Sequence, residues 1–237
     1  MKIAFLADIH SNIHALTAVL ENIAQQDVDL VACLGDLVGY GAFPNQVIDT
    51  IRQRNILTVM GNYDDSVGND RLVCGCAFKD DRAAELGLRS LLWTKTNTSK
   101  HNKRWLANLP WTIVLEYTNW KVRMVHGSPS SLNEYLFADT PVLNQVAANL
   151  AEDILVCGHT HLPYFRAVSE KWVLNAGSVG KPKHGRPTAS YVILDLDDRV
   201  PRAEIVEVNY DYASAANEIV KAGLPAEFAE IIRTGKV

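Results

Sequence analysis

Seven residues of this 237-residue chain carry side chains that bind divalent metals and stand where short apolar runs end: Asp8, His10, Asp36, Asn62, His126, His159 and His161. Asp8, Asp36, Asn62, His126 and His159 follow an apolar run directly or through one glycine, and His10 and His161 each follow one of these by two residues. Taken singly, each has an ordinary explanation: Asn62 as a turn residue, Asp36 as a helix cap, His126 as a satisfied histidine at a sheet edge. Their joint occurrence is harder to assign to chance. Two carboxylates, one amide oxygen and four imidazoles form a mixed oxygen and nitrogen donor set that suits Mn, Fe, Zn, Ni or Co better than Ca. One carboxylate can bridge two cations about 3.5–4 Å apart, and such a pair acidifies water and spreads the charge of a phosphoryl group. Phosphate-ester hydrolysis gains most from that arrangement.

The elements that must position these residues read as an alternation of strands and helices. The uncharged run 3–7 predicts a buried strand ending at Asp8, from which strand alternation would turn Asp8 and His10 toward one ligand. Ser11 and Asn12 can cap a helix whose apolar stripe is Ile13, Leu16, Val19, Leu20 and Ile23. Residues 29–34 predict a second strand, Pro44 opens a second helix carrying Val47, Ile48 and Ile51, and 56–60 predict a third strand. Residues 65–81 read as loop, 82–93 and 101–109 as helices separated by a polar stretch, and 111–117 with 120–125 as a hairpin. A helix at 141–150, a strand at 154–157, further strands at 164–168, 171–174, 189–196 and 203–208, and two short C-terminal helices complete the pattern. With no repeat or linker in sight, residues 1–237 are expected to form one α/β domain, and ligands of such sheets gather at the carboxyl ends of strands.

Composition narrows the function. A hydrophobic fraction of 48%, a charged fraction of 21% and a net charge of −4 describe an ordinary globular chain with no electrostatic footprint for a nucleic-acid duplex. No apolar run approaches the length of a membrane span or a secretory core, so no membrane partner and a cytoplasmic location are expected. Four cysteines do not make a disulfide framework in a chain of this size. Cys33 and Cys157 lie in apolar runs and are expected as small buried hydrophobes. Cys74-Gly75-Cys76 reads either as a tight loop with free thiols or as a pair suited to soft-metal or redox chemistry.

Asp8-x-His10, Gly35-Asp36, Gly61-Asn62-x-Asp64, His126-Gly127 and Gly158-His159-Thr160-His161 occur in this order and resemble the five motif blocks of the calcineurin-like metallophosphoesterases. Gly35-Asp36-Leu37-Val38-Gly39-Tyr40-Gly41 and Asn175-Ala176-Gly177-Ser178-Val179-Gly180 are similar to the compact bacterial and archaeal branch known as YfcE-like or ApaH-like. The resemblance implies a four-layer α/β/β/α sandwich of two mixed sheets flanked by helices, with the metals at one edge. It also implies two divalent ions per chain, manganese first, with Fe, Zn, Ni, Co or Mg as alternatives. One ion would be held by Asp8, His10, Asp36 and His161, the other by Asp36, Asn62, His126 and His159, with Asp36 as the bridge and hydroxide as the nucleophile. The expected activity is hydrolysis of small phosphomonoesters, phosphodiesters or nucleotides; a homodimer stays open.

The sequence departs from the family pattern at Tyr63, where a histidine oriented by the aspartate usually contacts the phosphate. A tyrosine can donate to a phosphoryl oxygen, but its ordinary pKa near 10 makes it a poorer acid. Esters with poor leaving groups are therefore expected to turn over slowly unless a water, His14 or His184 supplies the proton, and Asp64 is expected to orient Tyr63. Lys181, Lys183, His184 and Arg186 form either a solvated basic loop or an anion-attracting one, and 133–137 either a packed loop or a cover for the site. The rival from another class is a metal-binding scaffold with little turnover.

Overall fold

The computed structural model describes residues 1–197 and 199–236. In chain order the elements are β1 (Lys2–Leu6), α1 (Ile13–Ile23), β2 (Leu30–Cys33), α2 (Pro44–Gln53), β3 (Leu57–Thr58), α3 (Asn62–Gly68), α4 (Asp81–Asn97), α5 (Lys100–Ala107), β4 (Ile113–Tyr117), β5 (Trp120–Met124), α6 (Pro141–Ala148), β6 (Ile154–Cys157), β7 (Tyr164–Val168), β8 (Lys171–Asn175), β9 (Ala189–Asp195), β10 (Arg202–Val208), α7 (Tyr212–Lys221) and α8 (Ala226–Thr234). They build two five-stranded sheets, ordered β10-β9-β1-β2-β3 and β4-β5-β6-β8-β7. In the first, β1, β2 and β3 are parallel and β9 runs antiparallel to both β1 and β10. In the second, β5, β6 and β8 are parallel, with antiparallel β4 and β7 at the edges.

The sheets face each other because their central strands are apolar on both faces. Ile3, Phe5, Ala32 and Leu34 meet Val122, Met124, Ile154, Val156 and Leu174 in a core between the sheets. The alternate residues Ala4, Leu6 and Cys33 turn outward beneath Leu16, Val19, Val47 and Ile48 of α1 and α2. On the far side Leu155, Cys157 and Val173 pack under Leu143 and Ala147 of α6. Helix, sheet, sheet, helix is the four-layer arrangement expected, and Cys33 and Cys157 are buried as expected.

Most boundaries fall within two residues of the sequence reading, and three elements differ in extent. Residues 65–68 are helical rather than loop, because Asp64 accepts from Gly61 N at 3.0 Å and starts α3. α4 continues through the polar stretch after 93, since Thr96 Oγ1 and Asn97 Nδ2 donate to the carbonyls of Leu92 and Trp93 and so satisfy themselves within the helix. β3 is only two residues long. Asn12 caps α1 by accepting from Ala15 N, Pro44 opens α2, and the C-terminal helix pair forms as expected.

Candidate metal centre

The motif residues lie just beyond the strands, on loops or, for Asn62 and Asp64, in the first turn of α3. β1 stops at Leu6, so strand alternation does not aim Asp8 and His10; left-handed turns do. Asp8, His10, Asp36, His159 and His161 all have positive φ, between 47° and 65°. Such conformations cost a non-glycine residue roughly 1–3 kcal/mol and persist only where surroundings enforce them. Here Asp8 N donates to Gly35 O at 3.0 Å, His10 N to Asp36 O at 3.0 Å, and Gly158 N to His126 O at 2.8 Å. Asn175 Nδ2 holds Gly158 O at 2.6 Å and Ser178 Oγ holds Asp8 O at 2.8 Å, which gives the Asn175–Gly180 stretch its part in the site.

Two buried groups result: Asp8, His10 and His161, and Asp36, His126 and His159, each with ligand atoms within 4.8 Å of one another. Asp36 Oδ2 faces both, lying 3.8 Å from His10 Nε2 and 3.5 Å from His126 Nε2. Asn62 Oδ1 joins the second group at 3.0 Å from His126 Nε2. In the first, His161 Nε2 is 3.3 Å from Asp8 Oδ1 and 3.2 Å from His10 Nε2.

The donor set fits cations. Nδ1 of His10, His126 and His161 lies 3.0, 2.7 and 2.5 Å from the carbonyl oxygens of Val38, Leu34 and Lys181, so each Nδ1 carries a proton, and in the neutral His10 and His161 the Nε2 lone pair points inward. Lone pairs of His10 and His161 thus face each other, and Asp8 Oδ1, buried beside them, has no hydrogen-bond donor among the described residues. A cation relieves both conditions.

Electrostatics follow from burial. Desolvation pulls His10 and His159 down to about 3 and His161 well below its usual value, leaving neutral imidazoles able to bind a cation. Burial, only partly offset by His126, pushes Asp8 up to about 7. For Asp36 burial acts upward too, but His126, His10 and His159 together outweigh it and hold the carboxyl below its usual range. His126 moves the opposite way, to about 9, as Asp36 overcomes desolvation.

A cavity of about 180 Å³ opens over the two groups, walled by Tyr40, Tyr63, Cys76, Phe78, Tyr135, Lys181 and Lys183 besides His10, His159, His161 and Asp36. Tyr63 is fully buried, its hydroxyl 3.4 Å from both Gly87 O and Ser90 Oγ. Burial pushes that phenol well above its usual pKa. The expected contact between Asp64 and Tyr63 is not among the hydrogen bonds of the described residues: Asp64 accepts from Gly61 N and Leu37 N instead. Neither His14 nor His184 lines this cavity. The basic loop divides: Lys181 and Lys183 reach the cavity, whereas Arg186 pairs with Glu207 at 2.8 Å. Tyr135, from the 133–137 segment, lies on His159 with ring centroids 4.0 Å apart. The sequence reading did not single out Tyr40, which packs edge-on against His10 and carries Lys181 Nζ 4.3 Å above its ring. Its place in the Gly35–Gly41 block was the available signal.

The calcineurin-like phosphoesterase superfamily domain matches residues 1–199, and the chain belongs to that family. It is 35% identical to protein MJ0912 of Methanocaldococcus jannaschii over 254 residues, covering 99% of this chain and 98% of the relative. Over 209 residues it is 29% identical to phosphodiesterase YfcE of Escherichia coli, covering 83% and 89% of the two chains. A crystal structure of a metallophosphoesterase from Sphaerobacter thermophilus superposes with a TM-score of 0.80 at 27% identity, covering 99% of each chain.

Proposed function

We propose that this phosphoesterase is a dinuclear metal enzyme that hydrolyses small phosphomonoesters, phosphodiesters or nucleotides. The observation that carries the reading is Asp36 Oδ2, shared between two buried histidine groups. Asp8, His10, Asp36 and His161 would hold one ion, and Asp36, Asn62, His126 and His159 the other, with manganese the first expectation. Divalent ions there supply Lewis acidity toward phosphoryl oxygens and lower the pKa of water.

The chain's own residues do the rest. The backbone carbonyls behind His10, His126 and His161 fix the tautomers, and Asp64, bound to Gly61 N and Leu37 N, fixes the loop ends that carry Asp36 and Asn62. Tyr63 backs His10, with ring centroids 5.7 Å apart, and its amide N–H donates to Asp36 Oδ1 at 2.8 Å. Lys181 and Lys183 draw the anionic substrate into the cavity. A neighbouring groove of about 400 Å³ between α4 and α8 shares Tyr40, Phe78 and Lys181 with that cavity and is lined further by Leu86, Phe228 and Ile231, a wall suited to an apolar leaving group.

The test is hydrolysis of p-nitrophenyl phosphate and bis-p-nitrophenyl phosphate by metal-reconstituted protein. Asp36→Asn is expected to lower turnover by about a hundredfold or more, since a ligand's loss costs at least as much as that of a supporting partner. Silence on both substrates with every metal favours the scaffold reading, for which the committed hydroxyl of Tyr63 speaks.

A further inference from the structure

The Cys74-Gly75-Cys76 turn has no part in this chemistry, yet it touches the second histidine group. Asn62 Nδ2 donates to Cys74 O at 2.8 Å and to Cys76 Sγ at 3.3 Å, which leaves Asn62 Oδ1 turned toward His126. On the other side Gly75 O accepts from Asn133 Nδ2 at 2.7 Å. Gly75 has φ +73°, and a Cβ there would meet that same Nδ2 at 2.4 Å. The turn is therefore clamped between the amide facing the metal group and the loop that carries Tyr135. Its two sulfurs are in direct contact. Cys76 is partly exposed on the cavity wall and Cys74 lies behind it, 7% exposed, whereas Cys33 and Cys157 are wholly buried.

We propose that Cys74 and Cys76 form a thiol–disulfide site, oxidised by low-molecular-weight disulfides, whose closure withdraws Asn62 from the second metal group. Cys76 attacks one sulfur of the small disulfide, which leaves as one thiol and puts its other half on Cys76. Cys74 then attacks Cys76 Sγ and releases the second thiol. Two protein thiols are oxidised, one small disulfide is reduced to two thiols, and the two protons leave on them. A Cys74–Cys76 bond of about 2.05 Å commits Cys76 Sγ to Cys74 and changes the turn on which the Asn62 amide rests.

The inference rests on the dinuclear reading only for its effect on metal and turnover; the disulfide itself is read separately. Manganese-loaded protein is treated with oxidised glutathione, then scored by the mass of the peptide spanning 74–76, by manganese per chain and by p-nitrophenyl ester hydrolysis. The peptide is expected to lose two hydrogens, manganese and turnover to fall together, and dithiothreitol to restore both. Cys74→Ser should stop at one glutathione on Cys76, and Cys74→Ser/Cys76→Ser should keep its metal count through the treatment. An unchanged peptide mass overturns the proposal, and so does a disulfide that leaves manganese content as it was. If the untreated protein holds no manganese, the dinuclear reading fails first, and the peptide mass still decides whether the site exists.

Discussion

At Tyr63 the hydroxyl lies 3.4 Å from both Gly87 O and Ser90 Oγ, so Tyr63→Phe removes long hydrogen bonds that engage the phenol rather than a free proton donor. The expected cost is about 1 kcal/mol of stability. Turnover should change far less than the roughly hundredfold that losing a general acid brings. Steady-state kinetics on an alkyl and an aryl phosphate check this, and a hundredfold fall on the alkyl ester would place the phenol at the leaving group. The metal-binding candidates were legible in the sequence because few side chains bind cations and each stood at the end of an apolar run. The partners of Asp64 were not, since backbone N–H donors are present at every position and only the fold selects Gly61 and Leu37. Tyr40 was not singled out for a similar reason: only the fold brings it beside His10 and under Lys181 at the cavity.

The loops that follow β1, β2 and β3 interlock too closely for ordinary residues. Gly35 has φ +86°, and a Cβ on it would lie 2.3 Å from Gly61 N, a backbone atom that cannot swing aside. Gly35→Ala combines left-handed strain with that overlap and should cost about 3 kcal/mol. Thermal unfolding gives the stability, and manganese per chain shows whether the turns carrying Asp36 and Asn62 have separated. The strands themselves were readable from apolar runs, whereas the reach of α4 past residue 93 was hidden, because its threonines and asparagine look like loop until they bond to carbonyls one turn back. Strand periodicity placed Asp8 and His10 together, as the structure does, but by the wrong route, since both lie past the end of β1 in left-handed turns.

Across the whole molecule, the C-terminal helices lie beyond the family match, which ends at 199, yet Phe228 of α8 packs edge-on against Tyr40 at the cavity wall with centroids 5.0 Å apart. The segment leading toward them is tied down by Arg186 and Glu207, and that ion pair, with Thr188, holds the Glu207 carboxyl down at about 2. A carboxyl depressed on folding contributes stability above its unfolded pKa, near 4.5, and the contribution fades as pH falls from there toward 2. Wild-type protein should therefore lose more thermal stability over that window than Glu207→Gln, with a smaller difference in high salt, where a partly exposed pair is screened. Parallel melting curves test it; identical acid profiles would remove the pair from the account.

Each histidine group draws side chains from both sheets: Asp8, His10, Asp36 and Asn62 follow strands of one, while His126, His159 and His161 follow strands of the other. Ions seated there would rivet the two leaves of the sandwich together at one edge, as a covalent cross-link would. Removing them with a chelator should then speed amide hydrogen exchange in β1 and β6 together, at opposite walls of the shared core, while the outer helices keep their rates.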